Sequence, residues 1–335
     1  VAAHPNCETC GIVLVGVESP MTIATITLNP CVDKTFAVDR VVPDRKLRAR
    51  GIRLYPGGGG INVARAVHRL GGQVNALWSC GGCSGEVLLE LLQAEGVANQ
   101  PVRIEDHTRE NLIIRDDSSG QQYRFGMPGP AFTTEERDEW IRRLSHWPEP
   151  PRFVVFSGSL PPGAPLDWYE DLLRSVPVES HIVVDTKQAA LSKALDVGVY
   201  LAKPNIHELE EVVGCELHHD DQIVEAAKEM IEHNQVEVLL ISLGRGGAIV
   251  VTADEVDRLH APAVKIRSKV GAGDSMVGGL LFALDRGLSL KNATRMAVAA
   301  GAAAVMSEGT DLCRREDVEH LYACTQERGD AAECS

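Results

Sequence analysis

The residues with the clearest chemical content run from Val270 through Gly271, Ala272, Gly273 and Asp274 to Ser275, at the head of an apolar helical stretch. Two glycines let backbone N–H groups turn toward an anion, and a helix N-terminus supplies unsatisfied donors and a favourable dipole. Asp274 then sits beside that anion. A carboxylate there repels a phosphate, so it makes a poor binder but a good proton acceptor for an attacking hydroxyl. The pattern points to phosphoryl transfer, with the Gly271, Ala272 and Gly273 amides as an anion hole and Asp274 as general base. The competing reading is a glycine-rich turn whose aspartate only caps the next helix, since Asp is a favoured cap.

A second run, Gly57 to Gly60, opens another helical pattern at Ile61, Asn62, Val63, Ala64 and Arg65. Ordering such a run costs roughly 0.5–1 kcal/mol per glycine relative to alanine. It is therefore expected where backbone must approach a ligand closely, with a surface linker as the plainer alternative.

These two stretches, GGGGINVAR (57 to 65) and VGAGDSMVGG (270 to 279), resemble the two signature regions of the ribokinase-like carbohydrate kinases, the PfkB family. The resemblance runs across nearly the whole chain after residue 20. It is strongest to the minor-type subfamily that uses ATP to convert fructose 6-phosphate to fructose 1,6-bisphosphate in glycolysis. TLNPCVD (27 to 33), TRENL (108 to 112), QYRFGMPGP (122 to 130), SGSLPPG (157 to 163), KPNIHEL (203 to 209) and SLGRGGA (242 to 248) follow in that subfamily's order. Related kinases of fructose 1-phosphate or tagatose 6-phosphate usually carry a lysine inside the first glycine run, where this chain has Gly59.

The resemblance implies a role for each matching position. Asp33 would grip sugar hydroxyls, while Gly58, Gly59, Asn62 and Ser157 would close around the sugar. Lys46, Arg48, Arg109 and Arg124 would meet its phosphate, for which an arginine fork is well shaped. Lys203, Asn205 and Glu208 would lie near the ATP phosphates, the last two acting through water and Mg2+, although Asn205 and Glu208 also read as a helix capping box. Ser242, Gly244 and Gly247 would form the loop beneath the nucleotide. A K+ site made largely of backbone carbonyls would use Ser268, Val270, Ala304, Ser307, Gly309 and Asp311. Lys269 stands where the family often has threonine, and its charge either reaches the nucleotide phosphates or weakens that cation site.

Composition narrows the partners. The chain has 33 basic and 47 acidic residues, a formal charge of −14, so it lacks the basic field that nucleic acid or an anionic membrane attracts. Its 44% hydrophobic content can fill a large core, yet no stretch reaches the roughly 20 apolar residues that span a bilayer. The small-residue run from Met296 to Met306 reads as a buried helix. Nine cysteines, mostly scattered singly, read as reduced thiols in a cytoplasmic protein. The CxxC pairs Cys7/Cys10 and Cys80/Cys83 are too far apart for a compact zinc module. Ser84 instead reads as a cap before a helix over 86–93.

The elements that must position these groups follow from periodicity. Alternation from Thr22 to Leu28 predicts the first strand, so the fold is expected to span 21–327, with an extension at 1–20 lacking a secretory signal's basic region and a tail at 328–335. Extended segments at about 33–55 and a hairpin at 111–127 turning at 117–120 predict a small β lid. From Arg152 onward, strands alternate with helices, which predicts an α/β three-layer sandwich with a mostly parallel central sheet. Ligands of such sheets bind at the carboxyl ends of the strands, where Asp33, Ser157, Asp185, Asn205 and Gly244 are expected. An exposed lid edge is expected to pair with a second copy in a homodimer.

Two rival classes lack their marks. No G-x-G-x-x-G fingerprint for a dinucleotide is present, and no Gly-Lys dipeptide occurs from which a P-loop could be built. A sugar-phosphate sensor without catalysis would have lost the base or the nucleotide site, whereas Asp274 and its motif are intact.

Overall fold

Valine- and isoleucine-rich runs too short for helices become strands, and the amphipathic runs between them become their crossovers. A computed structural model describes residues 22–327 apart from 234 and 308, so the extension and the tail lie outside the described residues. The first half contains β1 (Ile23–Thr27), β2 (Cys31–Val38), β3 (Arg50–Gly57), α1 (Gly59–Arg69), β4 (Asn75–Cys80), α2 (Gly82–Ala94), β5 (Asn99–Arg103), β6 (Arg109–Asp116), β7 (Gln122–Gly126) and α3 (Thr134–Ser145). There follow β8 (Phe153–Ser157), α4 (Leu166–Arg174), β9 (His181–Asp185), α5 (Gln188–Val197), β10 (Val199–Ala202), α6 (Ile206–Val213), α7 (Asp220–Glu232) and β11 (Val236–Ser242). The chain closes with β12 (Ala248–Val251), β13 (Val256–Leu259), α8 (Ala272–Asp285), α9 (Leu290–Met306) and α10 (Arg315–Glu327).

Nine strands form one sheet in the order β13-β12-β11-β10-β9-β8-β1-β4-β5. Every pairing from β5 to β11 is parallel, and the β11–β12 and β12–β13 pairings at one edge are antiparallel. Neighbouring residues of a strand point to opposite faces. Thus Phe153 and Val155 of β8 join the core beneath α1, α2, α8 and α9, while Val154 and Phe156 join the core beneath α3 to α7. This is the α/β sandwich expected from the sequence, with an antiparallel hairpin added ahead of the helical C-terminal third.

Four strands form the second sheet, in the order β3-β2-β6-β7. Strands β2 and β6 run parallel, and each carries an antiparallel neighbour. The β6–β7 turn is tied down by Asp116, which accepts from the backbone N–H of Val41 and from Ser118 and Ser119. Those donors hold its carboxyl down at about 2, the Val41 amide most strongly. Pairing in register places Lys34, Leu54, Leu112 and Phe125 in one row, and Asp33, Tyr55, Asn111 and Gly126 in the next. The lid therefore has one mostly apolar face and one polar face that carries Asp33 and Arg124.

Two local expectations are corrected. Asp33, expected at the carboxyl end of a strand of the main sheet, is the third residue of lid strand β2 in the second sheet. Ser84 is not a cap: α2 begins two residues earlier, behind Gly81, and the Ser84 hydroxyl donates to the carbonyl of Thr108.

Candidate active site

The carboxyl ends of β1, β8, β9, β10 and β11 converge with the heads of α1, α6 and α8. Gly271 is the N-cap of α8 at φ 72°, a left-handed conformation for which glycine pays no steric cost. Asp274 lies in the first turn, where the leading amides have no intrahelical acceptor. Its Oδ2 accepts from Nδ2 of Asn62 at 2.8 Å, across 212 positions of sequence. The two glycine-rich motifs therefore meet at one carboxylate.

Burial pushes the Asp274 carboxyl up to about 7, and the neighbouring Asp185 adds to the rise, whereas Asn62, Lys203 and Lys187 pull it back. A base poised near neutrality is what proton removal at pH 7 needs. Lys203 is buried at the end of β10, and its Nζ pairs with Oδ1 of Asp185 at 3.0 Å. Burial works against its charge, but the Asp185 carboxylate, together with Glu208 and Asp274, outweighs it and raises the ammonium above its ordinary value. A Cβ added at Gly273 would stand 3.4 Å from that Nζ, so glycine keeps the backbone amide and the ammonium on one anion cradle. Such a cradle could take the phosphates of a nucleotide, and Asp185 and Glu208 are the carboxylates that could face a hydrated Mg2+ held mainly by those phosphates.

Asn205 and Glu208 form the capping box of α6: Glu208 N–H donates to Asn205 Oδ1 at 3.0 Å, and Asn205 N–H donates to Glu208 Oε2 at 2.9 Å. The capping-box reading of these residues is met, at the head of a helix whose Glu208 lies close enough to Lys203 to act on its charge. Ser242 ends β11, and Gly244 and Gly247 bracket a one-turn 3-10 helix beside it. Lys269 is exposed on the loop leading to the α8 cap.

In the lid, Asp33 is buried and accepts from Asn111 Nδ2 at 2.9 Å and from the Cys31 thiol at 3.3 Å. Arg109 donates to the carbonyls of Met127 at 3.1 Å and Asn29 at 3.1 Å, so its fork braces the lid to the end of β1. Arg124 lies on the Asp33 face, while Lys46 and Arg48 are exposed on the loop between β2 and β3. Asn111 and Lys187 carried no role in the sequence reading, and Asp185 was expected only by its place at the carboxyl end of a strand. Asn111 stood inside the TRENL block, but its alignment with Asp33 depends on the parallel β2–β6 register.

The glycine run is also packed closely by the protein itself. A Cβ at Gly60 would stand 2.5 Å from Thr27 Oγ1, one at Gly57 2.8 Å from Asp33 Oδ2, and one at Gly59 would collide with Ser157 Oγ and the Gly158 amide. The protein itself fills this space, so the glycines seat α1 against β1, β8 and the lid. Gly59→Ala is expected to destabilise by about 1–3 kcal/mol through overpacking, read as a lower denaturant midpoint at unchanged slope.

The loops proposed for K+ are already cross-linked. Ser268 Oγ donates to Gly309 O at 2.6 Å and accepts from Val270 N–H, Ser307 Oγ donates to Leu312 O, and Ala304 O accepts from Ser307 N–H. The Asp311 carboxylate lies 3.8 Å from Arg69, so only its backbone is free to turn inward. No group of three or more His, Cys, Asp or Glu among the described residues is placed to hold a metal ion. Cys31, Cys80, Cys83, Cys215 and Cys313 are free thiols, and Cys7 and Cys10 lie outside the described residues. Nor is any described helix long and apolar enough to cross a membrane. A groove of about 1060 Å3 lined by Val178, His181, Tyr200 and Asp254 lies at the opposite ends of the strands. Chemistry rather than volume locates the site.

Residues 26–317 match the pfkB family carbohydrate kinases. The chain belongs to that family. It is 39% identical over 303 residues to the ATP-dependent 6-phosphofructokinase isozyme 2 of Escherichia coli, covering 90% of this chain and 98% of that one. Identity to the isozyme 2 of Mycobacterium tuberculosis H37Rv is also 39%, over 92% and 91% of the two chains. A 1-phosphofructokinase of Bacillus subtilis is 31% identical over 89% and 97%. The E. coli phosphofructokinase-2 solved with potassium superimposes with a TM-score of 0.87 over 90% of this chain and 98% of that one. The same E. coli protein has been solved with fructose-6-phosphate and in a tetrameric inhibited form. This PfkB kinase is thus a phosphotransferase acting on a sugar phosphate, and membership of the family implies use of ATP and Mg2+.

Proposed function

We propose that this kinase phosphorylates fructose 6-phosphate to fructose 1,6-bisphosphate within a domain spanning 21–327, in the cytoplasm and as a step of glycolysis. The observation that carries the reading is the convergence of the Asp274 carboxylate, the Gly271–Gly273 cradle and the Asp33 face of the lid. Asp274 takes the proton from the sugar hydroxyl as its oxygen bonds to the γ-phosphorus, and the bond to the leaving ADP breaks. Ala272, Gly273 and Lys203 stabilise the negative charge that builds there. Bound Mg2+ would neutralise phosphate charge, with Asp185, Asn205 and Glu208 nearest to its water shell. Asp33, held by Asn111, orients the sugar beside Asn62, Gly58, Gly59 and Ser157. Lys46, Arg48, Arg109 and Arg124 meet its phosphate.

On the nucleotide side, Ser242, Gly244, Gly247 and Lys269 line the approach, and K+ would be held by carbonyls of the 268–270 and 304–311 loops. Greater identity to the 6-phosphofructokinases than to the 1-phosphofructokinase supports the choice of sugar. The test is ADP release with Mg-ATP and fructose 6-phosphate, fructose 1-phosphate, tagatose 6-phosphate or ribose. Selective turnover of the first is expected, and preference for another sugar overturns the assignment.

The apolar lid face supports a homodimer. Ile52 is 62% exposed and Phe125 49%, and Leu54 and Tyr123 share that face. Phe125→Asp is expected to convert a sedimenting dimer to monomer by placing an unpaired charge in the interface. A native protein that sediments as a fully active monomer would exclude this arrangement.

A further inference from the structure

We propose that Arg65 and Glu95 are a positioning pair that fixes the Asn62 amide so that it can only donate to Asp274. The inference rests on Asp274 being the base of the proposed reaction. Arg65 is 0% exposed, in a helix that otherwise turns an apolar face to the sheet. Its Nε and Nη2 meet the two oxygens of Glu95, at the C-terminal end of α2, at 2.8 and 2.6 Å. The remaining nitrogen, Nη1, donates to Pro56 O at 3.1 Å and to Asn62 Oδ1 at 3.2 Å.

A guanidinium has five donors and no acceptor. The Asn62 oxygen must therefore face Arg65, which leaves its NH2 toward Asp274 Oδ2 at 2.8 Å. An obligate donor at that point favours the carboxylate over the carboxylic acid. Without Arg65 the amide could turn over and accept from a protonated Asp274, and the base would be held in its inactive form. A buried ion pair adds little stability over apolar residues of equal volume. What this pair supplies is orientation. Pro56 is the penultimate residue of lid strand β3, so the same guanidinium also ties the base to the lid.

Asp274 is faced by Asp185 from β9, Lys187 at the head of α5, Lys203 from β10 and the Cys31 thiol from β2, with Glu208 beside Lys203. None of these changes in the double variant Arg65→Met/Glu95→Leu, which removes both charges together and leaves Arg69, the other partner of Glu95, to Asp311. The carboxyl 13C shift of Asp274, assigned by its loss in Asp274→Asn, is followed against pH in the ligand-free protein, alongside kcat and KM.

In the folded double variant the Asp274 titration is expected to move up by about one pH unit, the worth of a hydrogen bond to a charged group. The acid limb of kcat should move with it, while KM for fructose 6-phosphate stays close to the parent value. An unchanged titration in a folded variant overturns the proposal. Should the double variant not fold, Glu95→Gln loosens the bidentate grip while keeping the volume, and an unchanged titration there overturns it equally. The titration is read without substrate, so its outcome is independent of which sugar is turned over.

Discussion

Asp274→Asn is expected to lower kcat with fructose 6-phosphate at least about 10²-fold, the usual worth of a positioned general base. Binding of Mg-ATP should be little changed, because the amides of the cradle remain. In the parent enzyme kcat should rise with pH through a limb near 7, where burial and Asp185 place the Asp274 titration. The variant should lose that limb. Stability should move the opposite way. A carboxyl raised from 3.8 to about 7 by folding favours the protein below pH 4, and that contribution is lost as pH rises through 7. Asp274→Asn is therefore expected to melt above the parent at pH 8, with the difference shrinking as pH falls from 7 toward 4. Equal kcat in the two proteins would remove Asp274 from the reaction.

Lys203→Met is expected to fail on two counts. It leaves Asp185 partly buried without its 3.0 Å partner. Breaking one side of a buried pair costs about 3–5 kcal/mol, most of it the uncompensated charge. It also removes a cation from the cradle, for which a loss of roughly 10²–10³ in kcat is expected. Because Lys203 pulls the Asp274 carboxyl down, the acid limb of residual activity should shift upward. The double variant Lys203→Met/Asp185→Asn should recover much of the melting temperature but not the rate. Recovery of both would make the pair purely structural.

The family and the layered α/β fold were legible in the sequence, because strands, turns and helix heads are set by short-range periodicity and by glycines that no other residue can replace. The motif around Asp274 carried its chemistry in six consecutive residues. What stayed hidden depended on pairing across long stretches of chain. Asn111 holds Asp33 only because β2 and β6 run parallel in one register. The glycines at 57 to 60 read as a close approach to a ligand, and only the fold shows that they also seat α1 against β1, β8 and the lid. Asp33 was expected at a strand end of the main sheet, but β2 departs from that sheet to build a second one.

Asn62 and Asp274 were each singled out on their own motif, but 212 positions separate them, and no local pattern says which side of an amide meets a carboxylate. The chain by itself determined which groups are available and which backbone segments can present them. The tertiary structure alone decided which groups share a proton, because burial and neighbouring charge, unlike residue type, exist only once the distant segments have met.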